Sequence, residues 1–263
     1  MRRPRAALHL ASSRAKLGIA PCAGRARRYA GPVRVAFVSV LAAVAIVVVA
    51  LTTAITRGPE FHHYADTRTW LGIPNAGDVL SNVAFLIVAA RGLRLAYVPF
   101  GSAVCAGIAM IGLGSALYHV APSDVLLAFD WVPIALTLGV LSAAVIHDRG
   151  GPGRVAFVLA PVFAIGSVAW WLATGGTRHG GNMAPYVAVQ AAGIALPPLV
   201  ALIAPGTISV RWLFAGVLGF AVARGLASYD RALLDAIGIS GHSLKHLAAA
   251  QAAACALRAL MRR

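Results

Sequence analysis

Apolar residues gather into runs at 33–56, 79–98, 100–120, 125–147, 155–174, 185–204, 209–227 and 242–261. Each run is near the roughly 20 residues a helix needs to cross the hydrocarbon layer. Breaking residues separate most of them: Arg57-Gly58-Pro59, Pro122-Ser123, Gly150-Gly151-Pro152-Gly153, Gly175-Gly176-Thr177, Ala204-Pro205-Gly206 and Gly238-Ile239-Ser240-Gly241. The weakest break, Tyr97-Val98-Pro99-Phe100-Gly101, reads as a tight hairpin. The last run is rich in alanine and carries Lys245, so it reads as a helix buried within a bundle rather than one facing lipid. The pattern predicts an all-α polytopic membrane helix bundle. The longest polar connection, 57–78, is too short for a separate soluble domain.

Charge adds an orientation. With the N-terminal tail inside, the inner loops carry Arg91, Arg94, Arg149, Arg154, Arg211, Arg258, Arg262 and Arg263, and the outer loops only Arg57, Arg68, Arg178 and Arg231. That bias predicts eight spans with both termini inside. The chain is 59% hydrophobic with only eight acidic residues, which excludes an ordinary soluble domain. Its net charge of +15 owes much to Arg2, Arg3, Arg5, Arg14, Lys16, Arg25, Arg27, Arg28 and Arg34, ahead of or at the start of the first run. Such a tail is a topology signal and a contact for anionic lipid. It has few aromatics and no recognisable module, so no nucleic-acid partner is expected. Residues 1–32 also resemble a transit peptide in composition, or a disordered tail. Cys22, Cys105 and Cys255 are too scattered to suggest a disulfide framework.

Ionisable residues in such runs are costly and need a reason. One run ends in Ser115-Ala116-Leu117-Tyr118-His119, the next carries Asp130, and the last opens with His242-Ser243-Leu244-Lys245-His246. Ser115/His119 and His242/His246 are each four residues apart and share a helix face. In the alternating topology all of these groups fall at one depth, near the outer face. A single histidine there is most simply a buried hydrogen-bonding residue. Three at one depth can hold zinc and leave its fourth position for water. Asp130 is either the counter-ion of a lysine or arginine, Lys245 among them, or an orienter or general base. Ser115 either bonds back to its own helix or donates to a developing oxyanion.

In Asp78-Val79-Leu80-Ser81-Asn82, Asp78 reads as a helix cap, Ser81 as a brace for the site, and Asn82 as an interhelical contact. His62, His63 and His179 lie in polar connections and read as solvated. Asp230 either holds a ligand histidine or lies at the surface.

These residues resemble the alkaline ceramidase family, within the superfamily that also holds the progestin/adiponectin receptors and related seven-helix hydrolases. The resemblance spans about residues 60–261 and rests on three blocks. They are Asp78-x-x-Ser81-Asn82-x-x-Phe85; Gly114-Ser115-x-x-Tyr118-His119 followed by Phe129-Asp130-x-x-Pro133; and Asp230 ahead of His242-x-x-x-His246. The charge bias makes 1–32 a basic cytoplasmic tail. The resemblance implies seven core transmembrane helices over 57–261 with an extra anchor at 33–56. It implies zinc on His119, His242 and His246, with Ser115 and Asp130 as catalytic groups, and a lipid amide such as ceramide as the substrate drawn from the bilayer. Two departures stand out. Trp131 replaces a frequent acidic residue. Asn75 stands where the family pattern has a carboxylate of a calcium site, which argues against calcium regulation.

The Ala/Arg-rich composition points to a bacterial inner membrane, with the site towards the periplasmic face. The competing reading is a metal-stabilised receptor or structural protein of the same superfamily. A transporter would spread polar residues through several helix centres instead.

Overall fold

The computed structural model describes residues 22–93 and 98–261, with the backbone alone over 22–30. Helices make up nearly all of it: α1 (Cys22–Thr52), α2 (Ala76–Leu80), α3 (Val83–Gly92), α4 (Gly101–Val120), α5 (Asp124–Asp148), α6 (Gly153–Ala173), α7 (Ala184–Ile203), α8 (Val210–Ser228), α9 (Asp230–Ile237) and α10 (Gly241–Leu260). Among the described residues six helices are long and apolar enough to cross a membrane: α1 from Gly31, and α4 to α8. The protein is therefore an all-α polytopic membrane bundle.

Packing partners order the helices. α3 lies on α4, α4 on α5, α5 on α6, α6 on α7, α7 on α8, α8 on α10, and α10 returns to α3, so the contacts close a ring. α5 also meets α7, and α10 meets α4, across its inside. α1 stands outside the ring against α7 and α5. Small residues set the close approaches. A Cβ on Gly114 of α4 would overlap the Phe129 carbonyl oxygen of α5, and one on Gly219 of α8 would press on Ala252 of α10 at 3.1 Å.

Several boundaries differ from the sequence pattern. α1 begins at Cys22, ahead of the apolar run, and stops at Thr52 rather than 56. It stops because Asn182 captures the following backbone: its side chain donates to the Thr53 carbonyl and accepts from the Ile55 N–H, each at 3.0 Å. Residues 1–21, most of the expected tail, lie outside the described residues, as do Arg94, Tyr97, Arg262 and Arg263.

The run expected at 79–98 is divided into α2 and α3. Ser81 Oγ and Asn82 Nδ2 both donate to the Asp78 carbonyl, at 3.0 and 2.8 Å. The Asn82 N–H then bonds Val79 and the Phe85 N–H bonds Asn82, so the backbone tightens to three-residue spacing there. The short α9 was not anticipated. It turns the chain from α8 into α10 and ends on Gly238 at φ 74°, a left-handed stop suited to glycine.

At the end holding the candidate site, Trp131 stacks on Tyr186 with ring centroids 4.4 Å apart and planes 7° from parallel, and also meets Trp171 and Phe61. Trp131 is thus a core residue, which accounts for an indole where an acid was expected. At the opposite end Asp148 accepts from the Thr207 N–H and hydroxyl and the Ile208 N–H, and buried Arg149 donates to the Ile208 carbonyl at 2.7 Å.

Candidate metal centre

His119 closes α4, and His242 and His246 occupy the first two turns of α10. All three are buried, at 1%, 8% and 2% exposure. One ligand atom from each lies within 4.8 Å of the others, and the ring centroids are 4.7 to 5.0 Å apart. The Nε2 atoms of His119 and His242 are 3.2 Å apart. Two ligands at Zn–N bonds of 2.0–2.1 Å and a tetrahedral angle stand about 3.3 Å apart, so this spacing fits a shared ion. The cluster can coordinate a divalent metal ion.

The His246 ring is held from behind, whereas His119 Nδ1 is buried without a hydrogen-bond partner among the described residues. Ser81 Oγ lies 2.8 Å from His246 Nδ1. Its one hydrogen is engaged by the Asp78 carbonyl, so the oxygen accepts from Nδ1–H and leaves the Nε2 lone pair facing the centre. Asn82 Nδ2 is 3.4 Å from the same nitrogen, too long for a strong bond. Asn75 donates to the His119 carbonyl at 2.8 Å. The Tyr64 ring meets His119 edge-on at 4.7 Å and His242 at 4.2 Å, covering both from the connection between α1 and α2. Burial pushes the Tyr64 phenol well above its ordinary value, so it remains protonated.

Two carboxylates place the start of α10. Asp230 accepts from the His242 N–H at 2.9 Å and from the Ala65 N–H at 3.0 Å. It thus fixes a ligand's backbone, not its ring. Asp78 is fully buried and accepts from the Ser240 and Ser243 hydroxyls at 2.9 and 2.7 Å. The helix cap expected of it is absent: the N-cap of α2 is Asn75, without a side-chain bond. Asp78 is instead a clasp across helices, because α10 brings two serines to it. A Cβ on Gly241 would overlap the Leu226 carbonyl oxygen, so glycine there lets α10 start hard against the end of α8.

Ser115 lies one turn before His119, with Oγ 3.4 Å from His246 Nε2. Asp130 of α5 is buried against Ser115 and within electrostatic reach of Lys245. It closes no ion pair with that lysine. The close approach of α4 and α5 at Gly114 brings these two side chains together.

His62 is a correction. It is not solvated: Nδ1 lies 2.9 Å from the Tyr118 hydroxyl, and Nε2 lies 3.0 Å from Asp124 and 3.1 Å from Thr177. The Tyr64 hydroxyl donates to that of Tyr118 at 2.9 Å, so a hydrogen-bonded chain runs from the start of α5 to the ring that covers the histidines. His63 and His179 are exposed as expected. Nearby, the Arg68 guanidinium holds the Asp66 carboxyl below the usual carboxylate range and also donates to the Gly238 carbonyl.

Comparison with protein-family models, with curated proteins and with solved structures finds no match to this chain.

Proposed function

We propose that the protein is a zinc-dependent intramembrane amide hydrolase acting on a ceramide-like lipid, with a seven-helix core and α1 as an added span. One observation carries the reading: three buried imidazoles converge on a point bordered by Ser115, with Asp130 buried against that serine. His119, His242 and His246 would hold zinc, which when bound would supply an acidified water and polarise an amide carbonyl. Asp130 accepts the proton of the attacking water and returns it to the leaving amine. Ser115 donates to the oxyanion. Acyl chains lie along the apolar helix faces, and substrate arrives from the bilayer.

Arg149, Arg154, Arg211 and Arg258 stand at helix ends opposite the cluster, which supports placing the site at the outer, periplasmic side of a bacterial inner membrane. We assign no calcium to the protein. Asp66 is engaged by Arg68, Asn75 by the His119 carbonyl, and Asp78 by two serines.

The test is substitution in purified protein supplied with labelled ceramide and related lipid amides. His119→Ala and His246→Ala lose bound zinc and amide cleavage together. Normal turnover by metal-free His246→Ala protein ends the proposal. Zinc-loaded native protein that leaves every lipid amide intact supports a metal-stabilised receptor instead.

A further inference from the structure

The end of the bundle opposite the histidines carries a cluster that the steps above do not use. The Ser209 N–H bonds the Ala259 carbonyl at 3.0 Å, which locks the start of α8 to the end of α10. That bond sets Arg211 and Trp212 of α8 level with Arg258 of α10. Both guanidiniums lie on the one indole: Cζ of Arg258 is 4.8 Å from the Trp212 ring centroid, and Cζ of Arg211 is 5.7 Å from it. Trp212 is half-buried and packed on the core, so the platform is fixed, while both arginines are exposed.

Topology asks for basic residues at one end of the spans, but not for their convergence. Two cations held on one ring repel each other. Arg211 also sits in the first turn of α8, where the helix dipole disfavours a cation, and no acid shares that turn. Among the described residues neither arginine forms an ion pair. Asp148, the acid that closes α5 at this end, is engaged by Thr207, Ile208 and Arg149. The ring face offsets part of the charge, and the rest points at the headgroup layer. Below it, Arg211, Phe214, Leu218 and Val222 follow three- and four-residue spacing and share one face of α8. The last three are large and exposed, at 46%, 67% and 50%. At 1.5 Å per residue this stripe runs about 16 Å from Arg211, close to half of the roughly 30 Å hydrocarbon layer.

We propose that this corner binds an anionic phospholipid of the adjoining leaflet, with its phosphate between Arg211 and Arg258 and one acyl chain along Phe214, Leu218 and Val222. A guanidinium grips phosphate oxygens with its fork while its flat face rests on an aromatic ring, so one side chain serves both contacts. Trp212 is the floor that holds two flexible side chains in place, which lowers the ordering cost of binding. A zwitterionic lipid brings its own ammonium beside the phosphate, so the net attraction selects a lipid such as phosphatidylglycerol. The inference stands apart from the hydrolase reading and survives its failure.

The probe is phosphatidylglycerol mixed into phosphatidylcholine nanodiscs that carry the full chain. Lipid retained by the protein is counted by native mass spectrometry. Each arginine at a headgroup contributes about fivefold, so the native chain keeps phosphatidylglycerol over phosphatidylcholine by about tenfold or more. Arg211→Gln and Arg258→Gln each lower that preference about fivefold, and Trp212→Leu, which keeps both charges, lowers it about threefold or more. Arg154→Gln removes a charge from the start of α6, at the same end, and leaves the preference in place. All variants are compared at native helix content, read by circular dichroism. Should Trp212→Leu fail to fold, the two arginine variants decide. Equal retention of the two lipids by the native chain overturns the proposal, as does a preference that survives Arg211→Gln and Arg258→Gln. A loss in Arg154→Gln as large as theirs also overturns it, because the attraction would then be spread over the whole end of the bundle.

Discussion

Replacing Ser81 with alanine isolates the hydrogen bond behind His246. The hydroxyl oxygen is 2.8 Å from Nδ1; Asn82 Nδ2, a donor at 3.4 Å, cannot take its place, and the Asp78 carbonyl, which also acts on this ring, is the weaker acceptor. The variant leaves a buried N–H without its best-placed acceptor, at a cost of up to about 1–3 kcal/mol. It also frees the ring to adopt the tautomer whose Nε2 carries a proton and cannot bind metal. Loss of such outer partners elsewhere weakens metal binding about 10- to 100-fold, or about 1.4–2.7 kcal/mol, the same range. Equilibrium dialysis of the detergent-solubilised protein against zinc buffers measures this directly. Ser81→Ala is expected to bind zinc about 10- to 100-fold more weakly, with Ser81→Thr close to the native protein. An unchanged affinity in Ser81→Ala refutes the assignment of the tautomer to this contact.

Other expectations follow from the same geometry. Gly114→Ala places a methyl group against the Phe129 carbonyl, so α4 and α5 separate; it lowers thermal stability by about 1–3 kcal/mol and slows amide cleavage more than it weakens zinc binding. His62→Leu strips Tyr118 and Asp124 of a shared partner, at about 1–3 kcal/mol in thermal unfolding, while the zinc content holds. Arg68→Gln removes the cation that depresses Asp66. A depressed carboxylate stabilises above its unfolded pKa of about 3.9, and that stability is lost as pH falls through the lower folded value. The gap between native and Arg68→Gln protein is therefore full at neutral pH and closes in acid, as followed by near-ultraviolet circular dichroism.

The spans were legible because apolar runs and Gly/Pro breaks are local signals. The histidine cluster was legible because four-residue spacing fixes a face and span-by-span alternation across the membrane fixes a depth. What escaped the sequence depends on partners far along the chain. Tyr64 looks like an ordinary loop residue until α4 and α10 bring His119 and His242 to its ring. His62 looks solvated because Asp124 and Thr177 are 62 and 115 residues away. Asp78 carries the local marks of a cap, yet the serines that claim it stand more than 160 residues later. The break in the second run was hinted at by Ser81-Asn82, a pair able to compete for a backbone carbonyl, but an apolar average over the window conceals it.

Asp230 holds two threads at once: one oxygen grips the strap that carries Tyr64, the other the first turn bearing His242. The strap cannot lift as a free flap. Any motion that unveils the imidazoles pulls on the backbone of one of them, so access from the aqueous end and the grip on a cation are mechanically one event.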